Sequence, residues 1–197
     1  NKIFFYSSSL EGSTLSQLSK KSSWKNLKKK TEAAALNYAE DLVVCYKERK
    51  GLTRPPYLIA GKILGDFVNS FKYQDTFDQE KSWSDILSDL KSSTPMNRLL
   101  CGDVGFGKTE IAIRAAFVAS FSSKQTVVLA PTTVLASQLF DCFNNRLSSF
   151  GVLVDRFYRN SSKTSTLDNF LSKETDVLIC THAILRKPEI LKQCSLF

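Results

Sequence analysis

An eight-residue segment near the middle of the 197-residue chain has the residue types and spacing of a phosphate-binding loop. Residues 102–109, GDVGFGKT, fit the pattern G-x-x-x-x-G-K-[ST] at every fixed position. Glycines let backbone N–H groups turn towards phosphate oxygens without a Cβ clash, and a following helix directs its positive end at the same anion. Lys108 is placed to reach the β- and γ-phosphates, and the Thr109 hydroxyl to ligate Mg²⁺. The predicted nucleotide site consists of Gly102, Asp103, Val104, Gly105, Phe106, Gly107, Lys108 and Thr109.

The residues around this loop alternate between strand-like and helix-like patterns. Short apolar or β-branched runs predict strands at 97–101, 125–130, 152–157 and 176–180. Longer segments predict helices at 82–90, 109–121, 133–149 and 163–172. The strand runs show no polar alternation, which is typical of a parallel sheet covered by helices on both faces. The predicted fold class is therefore α/β, with a strand entering the phosphate loop and a helix leaving it.

The first quarter of the chain has a different pattern. Residues 3–6 predict a short strand, and the Ser-rich residues 7–23 predict a loop or linker. No Gly or Pro occurs from 24 to 50, where apolar residues recur every three or four positions and predict one long helix. Pro55 and Pro56 then predict an extended break.

The positive charge is concentrated in the same region. The chain has a formal net charge of +8, and residues 1–54 hold 11 basic and 5 acidic side chains. A run of lysines of this kind can contact nucleic acid. A solvated helix face or linker is the favoured interpretation, since no aromatic or Arg residue is interleaved with the lysines.

The cysteines and the hydropathy indicate the compartment. The five cysteines are widely spaced, never form CxxC, and are predicted to be free small apolar side chains in a reducing setting. No apolar run approaches the roughly 18–20 residues that span a bilayer, and residues 1–6 are too short for a signal peptide. We therefore expect a cytoplasmic protein.

The phosphate loop and its flanks resemble one family closely. Residues 97–110, NRLLCGDVGFGKTE, resemble motif I of the bacterial transcription-repair coupling factors, which are superfamily 2 DNA translocases. The related branch-migrating recombination helicases usually have Ser where Phe106 stands, so Phe106 favours the coupling factors. The resemblance implies a RecA-like P-loop domain that binds ATP and Mg²⁺. It further implies tracking along double-stranded DNA and displacement of stalled RNA polymerase.

Three further segments are similar to motifs of the same family. Phe71 with the TFDQ at 76–79 is similar to the Q motif, which implies that Phe71 stacks on adenine and the Gln79 amide reads its edge. Residues 130–138 are similar to motif Ia, which implies that Thr132 and Thr133 hold a DNA phosphate, although Thr at a helix start is equally a cap.

The third similar segment is residues 181–185, which implies that Thr181 makes a second DNA backbone contact. The next residue, His182, is the only histidine of the chain. It has no carboxylate or cysteine at ligand spacing, so no protein-held metal site is expected there.

The resemblance covers nearly the whole chain and implies its organisation. Residues 1–18 are similar to the tail of a polymerase-interacting module, 19–57 to a basic linker and long helix, and 58–197 to the N-terminal part of a helicase ATP-binding domain. The D-E-x-H of motif II is not found, and Glu189, on a predicted loop, is the one carboxylate after Leu185. We therefore expect this chain alone to bind ATP without productive turnover.

Three alternatives remain open at this point. One is the recombination helicase relative, which has the same ATPase chemistry and a different DNA substrate. Another is a small-molecule or GTP-binding P-loop protein, for which an N-K-x-D motif is wanted and absent. The last is a non-catalytic ATP-binding fragment whose helix docks to a partner.

Overall fold

The computed structural model describes residues 21–59, 61–158 and 164–197. The chain divides into two compact units, residues 1–51 and residues 52–197. The predicted module tail at 1–18 and the predicted strand at 3–6 lie outside the described residues, as does most of the predicted Ser-rich loop.

The described part of the first unit is one long helix, α1 (Lys21–Lys50), as predicted from the absence of Gly and Pro. Every residue from 24 to 50 is exposed, including Trp24, Leu27 and Leu42 of the predicted apolar face. Lys25, Lys28 and the two lysines that follow therefore lie on an exposed helix. Their exposure agrees with the interpretation of the lysine run as a solvated helix face.

The second unit is an α/β structure. Its helices are α2 (Gly61–Asn69), α3 (Phe77–Lys91), α4 (Lys108–Phe121), α5 (Thr133–Leu147), α6 (Thr164–Leu171) and α7 (Pro188–Gln193). Its strands are β1 (Thr126–Ala130), β2 (Val154–Phe157) and β3 (Val177–Thr181). All strands pair in parallel in the order β1-β3-β2. Short 3₁₀ turns follow α5 at Ser148–Phe150 and β3 at His182–Arg186.

Side chains on the two faces of the sheet belong to different parts of the core. Val177 and Ile179 of β3 pack in a buried cluster with residues of α2 to α5. Leu178 and Cys180, which alternate with them, pack in a second cluster that includes Phe170 of α6. Successive side chains of a strand point to opposite faces, so both faces of β3 are covered. The predicted α/β fold class with a parallel sheet is confirmed.

The predicted strand at 97–101 is wrong. These residues form no strand, and the Leu99 side chain is 86% exposed. A strand requires a neighbour that supplies ladder hydrogen bonds. One edge of β1 pairs with β3, and at its other edge Val127 N–H donates to the Leu196 carbonyl (2.9 Å), so that edge is met by the 195–196 segment instead.

Several other boundaries differ from the prediction. Helix α3 begins five residues before the predicted start, because Thr76 and Gln79 form a capping box at its first turn. Glu189 lies on helix α7 and not on the predicted loop, and Pro188 stands at the first helical position where its missing N–H is tolerated. The α2 segment was not predicted as a helix. Within the described ranges, no helix is both long and apolar enough to cross a membrane.

Candidate nucleotide site

The phosphate loop depends on glycine at two positions. Gly105 and Gly107 have φ angles of +85° and +69°, a left-handed backbone conformation that residues other than glycine rarely adopt. A Cβ atom at Gly107 would in addition collide with the amide nitrogen of Gln79. The backbone conformation therefore requires the fixed glycine before the lysine, and any side chain there would also displace the Gln79 amide.

Lys108 lies across the inside of the loop. Its ammonium group donates to the carbonyl oxygen of Gly102 (2.8 Å) and to that of Asp103. The Asp103 carboxylate in turn accepts from the Val104 N–H (2.7 Å) and holds the first turn of the loop. The positive charge is thus held within the turn, where the sequence pattern predicts phosphate.

Helix α4 begins at Lys108 without a side-chain cap. The N–H groups of Glu110 and Ile111 donate to the Gly107 carbonyl (3.0 and 3.4 Å). The first N–H groups of a helix have no intrahelical acceptor, and the helix dipole favours an anion there. The half-buried Thr109 lies in this first turn. An uncapped helix start beside a lysine fits a nucleotide phosphate, with the Thr109 hydroxyl as a ligand for its Mg²⁺.

A cavity of about 420 Å³ adjoins the loop and includes Gln79 in its lining. The Gln79 side-chain amide donates to the Phe106 carbonyl of the loop (3.1 Å) and accepts from the Thr76 N–H (2.8 Å). The structure therefore brings the predicted base-reading residue to the predicted phosphate loop. We refer to this space as the phosphate-loop cavity; its other lining residues include Asp78, Ser82, Asp85, Leu100, Cys101, Gly102, Asp103, Lys108 and Ile111.

Phe71 is not brought to this cavity. The guanidinium carbons of Arg114 and Arg146 lie 5.6 and 5.4 Å from the centre of its ring, and Tyr73 meets it edge-on. Cations over an aromatic ring are attracted to its faces. The predicted stacking of Phe71 on adenine stays a prediction.

Four charged side chains behind the loop form a cluster that the sequence reasoning missed, in which Glu110 and Arg114 are buried and Asp75 and Arg146 are 15% and 20% exposed. Arg114 of α4 donates to both oxygens of Asp75 (2.5 and 2.9 Å) and to Glu110 (3.1 Å). Arg146, in the last turn of α5, donates to both oxygens of Glu110 (3.1 and 2.7 Å). We call these four residues the buried ion-pair cluster. The available sequence signal was the i, i+4 spacing of Glu110 and Arg114 directly after the loop motif.

The charge of Arg114 is stabilised by its partners. Burial acts to lower the pKa of Arg114, whose side chain is 1% exposed. The hydrogen bonds and charges of Asp75 and Glu110 outweigh this effect and raise that pKa. Two cations face two carboxylates, so the cluster is balanced in charge, as a buried set of ions requires.

The predicted DNA-contact residues lie at the carboxyl ends of β1 and β3. Thr133 and Thr181 line one cavity of about 490 Å³, together with His182, Arg186 and Lys187. We call this the strand-end cavity. The two basic residues were not predicted, and their signal was their position shortly after Thr181.

Thr132, by contrast, caps helix α5. Its hydroxyl accepts from the Leu135 N–H (3.2 Å), and Thr132 is not among the residues that line the strand-end cavity. The capping alternative is thus present in the structure. Its predicted DNA contact stays a prediction.

A metal ion bound by several protein side chains differs from a Mg²⁺ ion that arrives with a nucleotide and is bound mainly by its phosphates. Among the described residues, no group of three or more His, Cys, Asp or Glu side chains is arranged to hold a metal ion. Mg²⁺ commonly binds through one or two protein oxygens together with substrate phosphates. Thr109 is the residue whose position suits that role.

The five free cysteines differ in exposure. Cys180 is buried, but Cys45, Cys101 and Cys142 are exposed, because apolar neighbours in sequence do not determine which face of an element meets the core. Burial raises the pKa of the Cys180 thiol to about 12 and that of the Cys194 thiol to about 11.

We expect iodoacetamide at pH 8 to label the three exposed cysteines and to spare Cys180 and Cys194, which remain neutral thiols below their raised pKa values. Mg²⁺–ATP should slow labelling of Cys101, which lines the phosphate-loop cavity, and leave Cys45 unaffected. Peptide mass mapping over time measures both effects, with denatured protein as the control in which all five react. Equal labelling of Cys180 and Cys142 in the folded chain would contradict the fold.

Comparisons with known proteins agree on one family. The profile of the DEAD/DEAH box helicase family matches residues 76–197. The transcription-repair-coupling factor of Bacillus subtilis is 37% identical over 178 residues, which are 89% of this chain and 15% of that protein. A chloroplastic ATP-dependent DNA helicase of Arabidopsis thaliana is 39% identical over 177 residues, 87% of this chain and 21% of that protein.

A solved structure is similar as well. The structure of RecG bound to a three-way DNA junction superposes with a TM-score of 0.66 at 32% sequence identity, covering 73% of this chain and 20% of that one. The chain thus spans about a fifth or less of the length of these similar proteins.

Proposed function

Because the chain belongs to the DEAD/DEAH box helicase family, we propose that it carries the ATP site of a DNA translocase of the transcription-repair-coupling type. The longer protein would use ATP to move along double-stranded DNA and displace stalled RNA polymerase. The observation that carries the proposal is the phosphate-loop cavity, where Lys108, the uncapped start of α4 and Gln79 meet.

Each residue of the site has a proposed role. Lys108 would hold the β- and γ-phosphates, and the N–H groups of the loop and of α4 would bind the phosphate oxygens between them. Thr109 would contribute its hydroxyl to Mg²⁺, which when bound neutralises charge that develops as water attacks the γ-phosphate. Gln79 would read adenine, since its Nε2 has a second N–H and its Oε1 a second lone pair beyond the bonds observed.

The strand-end cavity is the proposed DNA contact. Thr133 and Thr181 would hydrogen-bond a backbone phosphate, and Arg186 and Lys187, which line the same cavity, would supply the positive charge. Contacts of this type position a duplex without reading its sequence and weaken as salt rises. Thr132 would support the site by holding the start of α5.

We propose the following organisation within a longer protein. Residues 58–197 would be the first part of a RecA-like ATP-binding domain, 19–57 a linker that contains α1, and 1–18 the tail of a module that binds RNA polymerase. The similarity to coupling factors over 89% of the chain supports this arrangement.

A junction-remodelling helicase is the second candidate, because the RecG structure is similar in fold and 32% identical. Assays of a longer protein that contains this chain distinguish the two candidate functions. Duplex-stimulated ATP hydrolysis with release of RNA polymerase from a stalled elongation complex supports the coupling function. Efficient branch migration of a three-way junction, with no release of polymerase, would favour the second candidate instead.

We predict that the chain binds ATP more tightly than GTP and that Gln79→Ala lowers this preference by about fivefold or more. A bidentate amide–adenine pair contributes about 1–3 kcal/mol of discrimination. Displacement of a fluorescent ATP analogue by each nucleotide measures the two affinities, and Glu80→Gln, on the exposed side of the same helix, is the control. Equal affinity of the unmutated chain for ATP and GTP would argue against base reading by Gln79.

A further inference from the structure

The contact between Asp75 and Arg114 joins two segments that lie far apart in sequence. Both oxygens of Asp75 accept hydrogen bonds from the Arg114 guanidinium, at 2.5 and 2.9 Å. Paired N–H···O bonds of this kind fix orientation as well as distance. Asp75 lies in the irregular segment between α2 and α3, which has no ladder or helical hydrogen bonds to hold residues 72–75 in place. The ion pair therefore anchors this segment to α4.

The anchored segment leads directly to Gln79. Asp75 is followed by Thr76, whose hydroxyl accepts from the Gln79 backbone N–H (3.3 Å) and whose own N–H donates to the Gln79 side chain (2.8 Å). The same Gln79 amide donates to the Phe106 carbonyl of the phosphate loop (3.1 Å). A displacement of Asp75 would thus move the amide that faces the phosphate-loop cavity.

The other side of Arg114 leads to the phosphate end of the site. Arg114 donates to Glu110 (3.1 Å), the residue that directly follows Thr109 in the first turn of α4. Arg146 holds the same carboxylate through two hydrogen bonds and also donates to the Ser70 hydroxyl (2.8 Å) at the end of α2. One buried guanidinium therefore connects the segment that leads to Gln79 with the helix that carries Lys108 and Thr109.

We propose that Asp75 and Arg114 are positioning residues, which hold the Gln79 amide in register with the phosphate loop and so set the base specificity of the site. They would touch neither nucleotide nor metal. The inference rests on the proposed function, because it concerns how the same site selects ATP. It adds that nucleotide choice depends on the buried ion-pair cluster behind the loop.

The test compares the ATP-to-GTP affinity ratio of the chain and its variants, with Mg²⁺–ATP and Mg²⁺–GTP as competitors of a fluorescent analogue. Asp75→Asn removes one charge of the pair at nearly constant shape, on a side chain that is 15% exposed. We expect the ratio to fall at least threefold. Glu80→Gln, which removes an equal charge from an exposed position nearby, should leave the ratio unchanged.

A double variant separates positioning from general stability. If Asp75 acts through Gln79, Asp75→Asn combined with Gln79→Ala should lower the ratio no further than Gln79→Ala alone. A merely structural role would lower both affinities together and leave the ratio intact. If Asp75→Asn proves too unstable to measure, Asp75→Glu keeps the charge, moves the carboxylate by one methylene, and is also expected to lower the ratio.

Failure of the positioning role and failure of the proposed base reading give different results. An ATP preference that Gln79→Ala lowers and Asp75→Asn leaves unchanged overturns the positioning role while the proposed function stands. The positioning role is also overturned if the decreases in the affinity ratio caused by Asp75→Asn and Gln79→Ala add in the double variant. An unmutated chain that binds neither nucleotide, or both equally, overturns the proposed base reading, and the positioning role with it.

Discussion

Lys108→Ala is expected to weaken ATP binding by the chain at least tenfold. The Lys108 ammonium lies inside the phosphate loop, held by the carbonyls of Gly102 and Asp103, where it would meet the β- and γ-phosphates. A charge-assisted hydrogen bond contributes about 1.5–3 kcal/mol, which corresponds to a factor of roughly 10 to 150 in affinity. Titration with a fluorescent ATP analogue in the presence of Mg²⁺ measures the change.

The matched control for this variant is Lys124→Ala. Lys124 is an exposed lysine just beyond the far end of α4, a helix of about 20 Å that begins at Lys108. It should leave ATP affinity unchanged, and circular dichroism should show that both variants fold. If Lys108→Ala binds ATP as tightly as the unmutated chain, residues 102–109 are not the nucleotide site.

Arg114→Ala is expected to lower the free energy of unfolding by about 3–5 kcal/mol. The Arg114 side chain is 1% exposed, and its removal leaves the Asp75 carboxylate without its two hydrogen bonds and Glu110 with Arg146 alone. Removing one partner of a buried ion pair destabilises by this amount, because the remaining charge stays away from water uncompensated. The midpoint of urea unfolding, followed by circular dichroism, provides the measurement.

Arg98→Ala is the comparison that tests this reasoning. Arg98 also pairs with two carboxylates, Asp85 and Asp89, but on the exposed surface of the protein. Water screens such a pair, so its loss should shift the unfolding midpoint far less. Equal shifts for the two arginine variants would show that the buried cluster contributes no more than a surface pair.

Local sequence patterns determined the architecture around the proposed ATP site to a large extent. The three strands of the sheet lie within two residues of their predicted bounds, because apolar runs without polar alternation are typical of strands buried on both faces. Helix α4 begins within one residue of its predicted start. The phosphate loop was predictable because its sequence pattern fixes Gly107, whose left-handed backbone requires glycine; Gly105, the other left-handed glycine of the loop, stands at a variable position of that pattern.

Tertiary structure alone decided the features that depend on long-range partners. Residues 97–101 look like a strand in isolation, but the edge of β1 that is not paired with β3 is met by Leu196. Thr132 and Thr133 are equivalent by sequence, yet one hydroxyl caps α5 and the other residue lines the strand-end cavity.

The buried ion-pair cluster is the clearest example of a feature that local sequence patterns do not reveal. Its members, Asp75, Glu110, Arg114 and Arg146, come from a loop and two helices, and most are separated by more than thirty positions in sequence. Charged residues on helices are ordinarily solvated, so their types and spacing do not reveal burial. Burial of Glu110 and Arg114 became favourable only when packing of α4 against α5 and the Asp75 segment brought the partly buried Asp75 and Arg146 next to them as opposite charges.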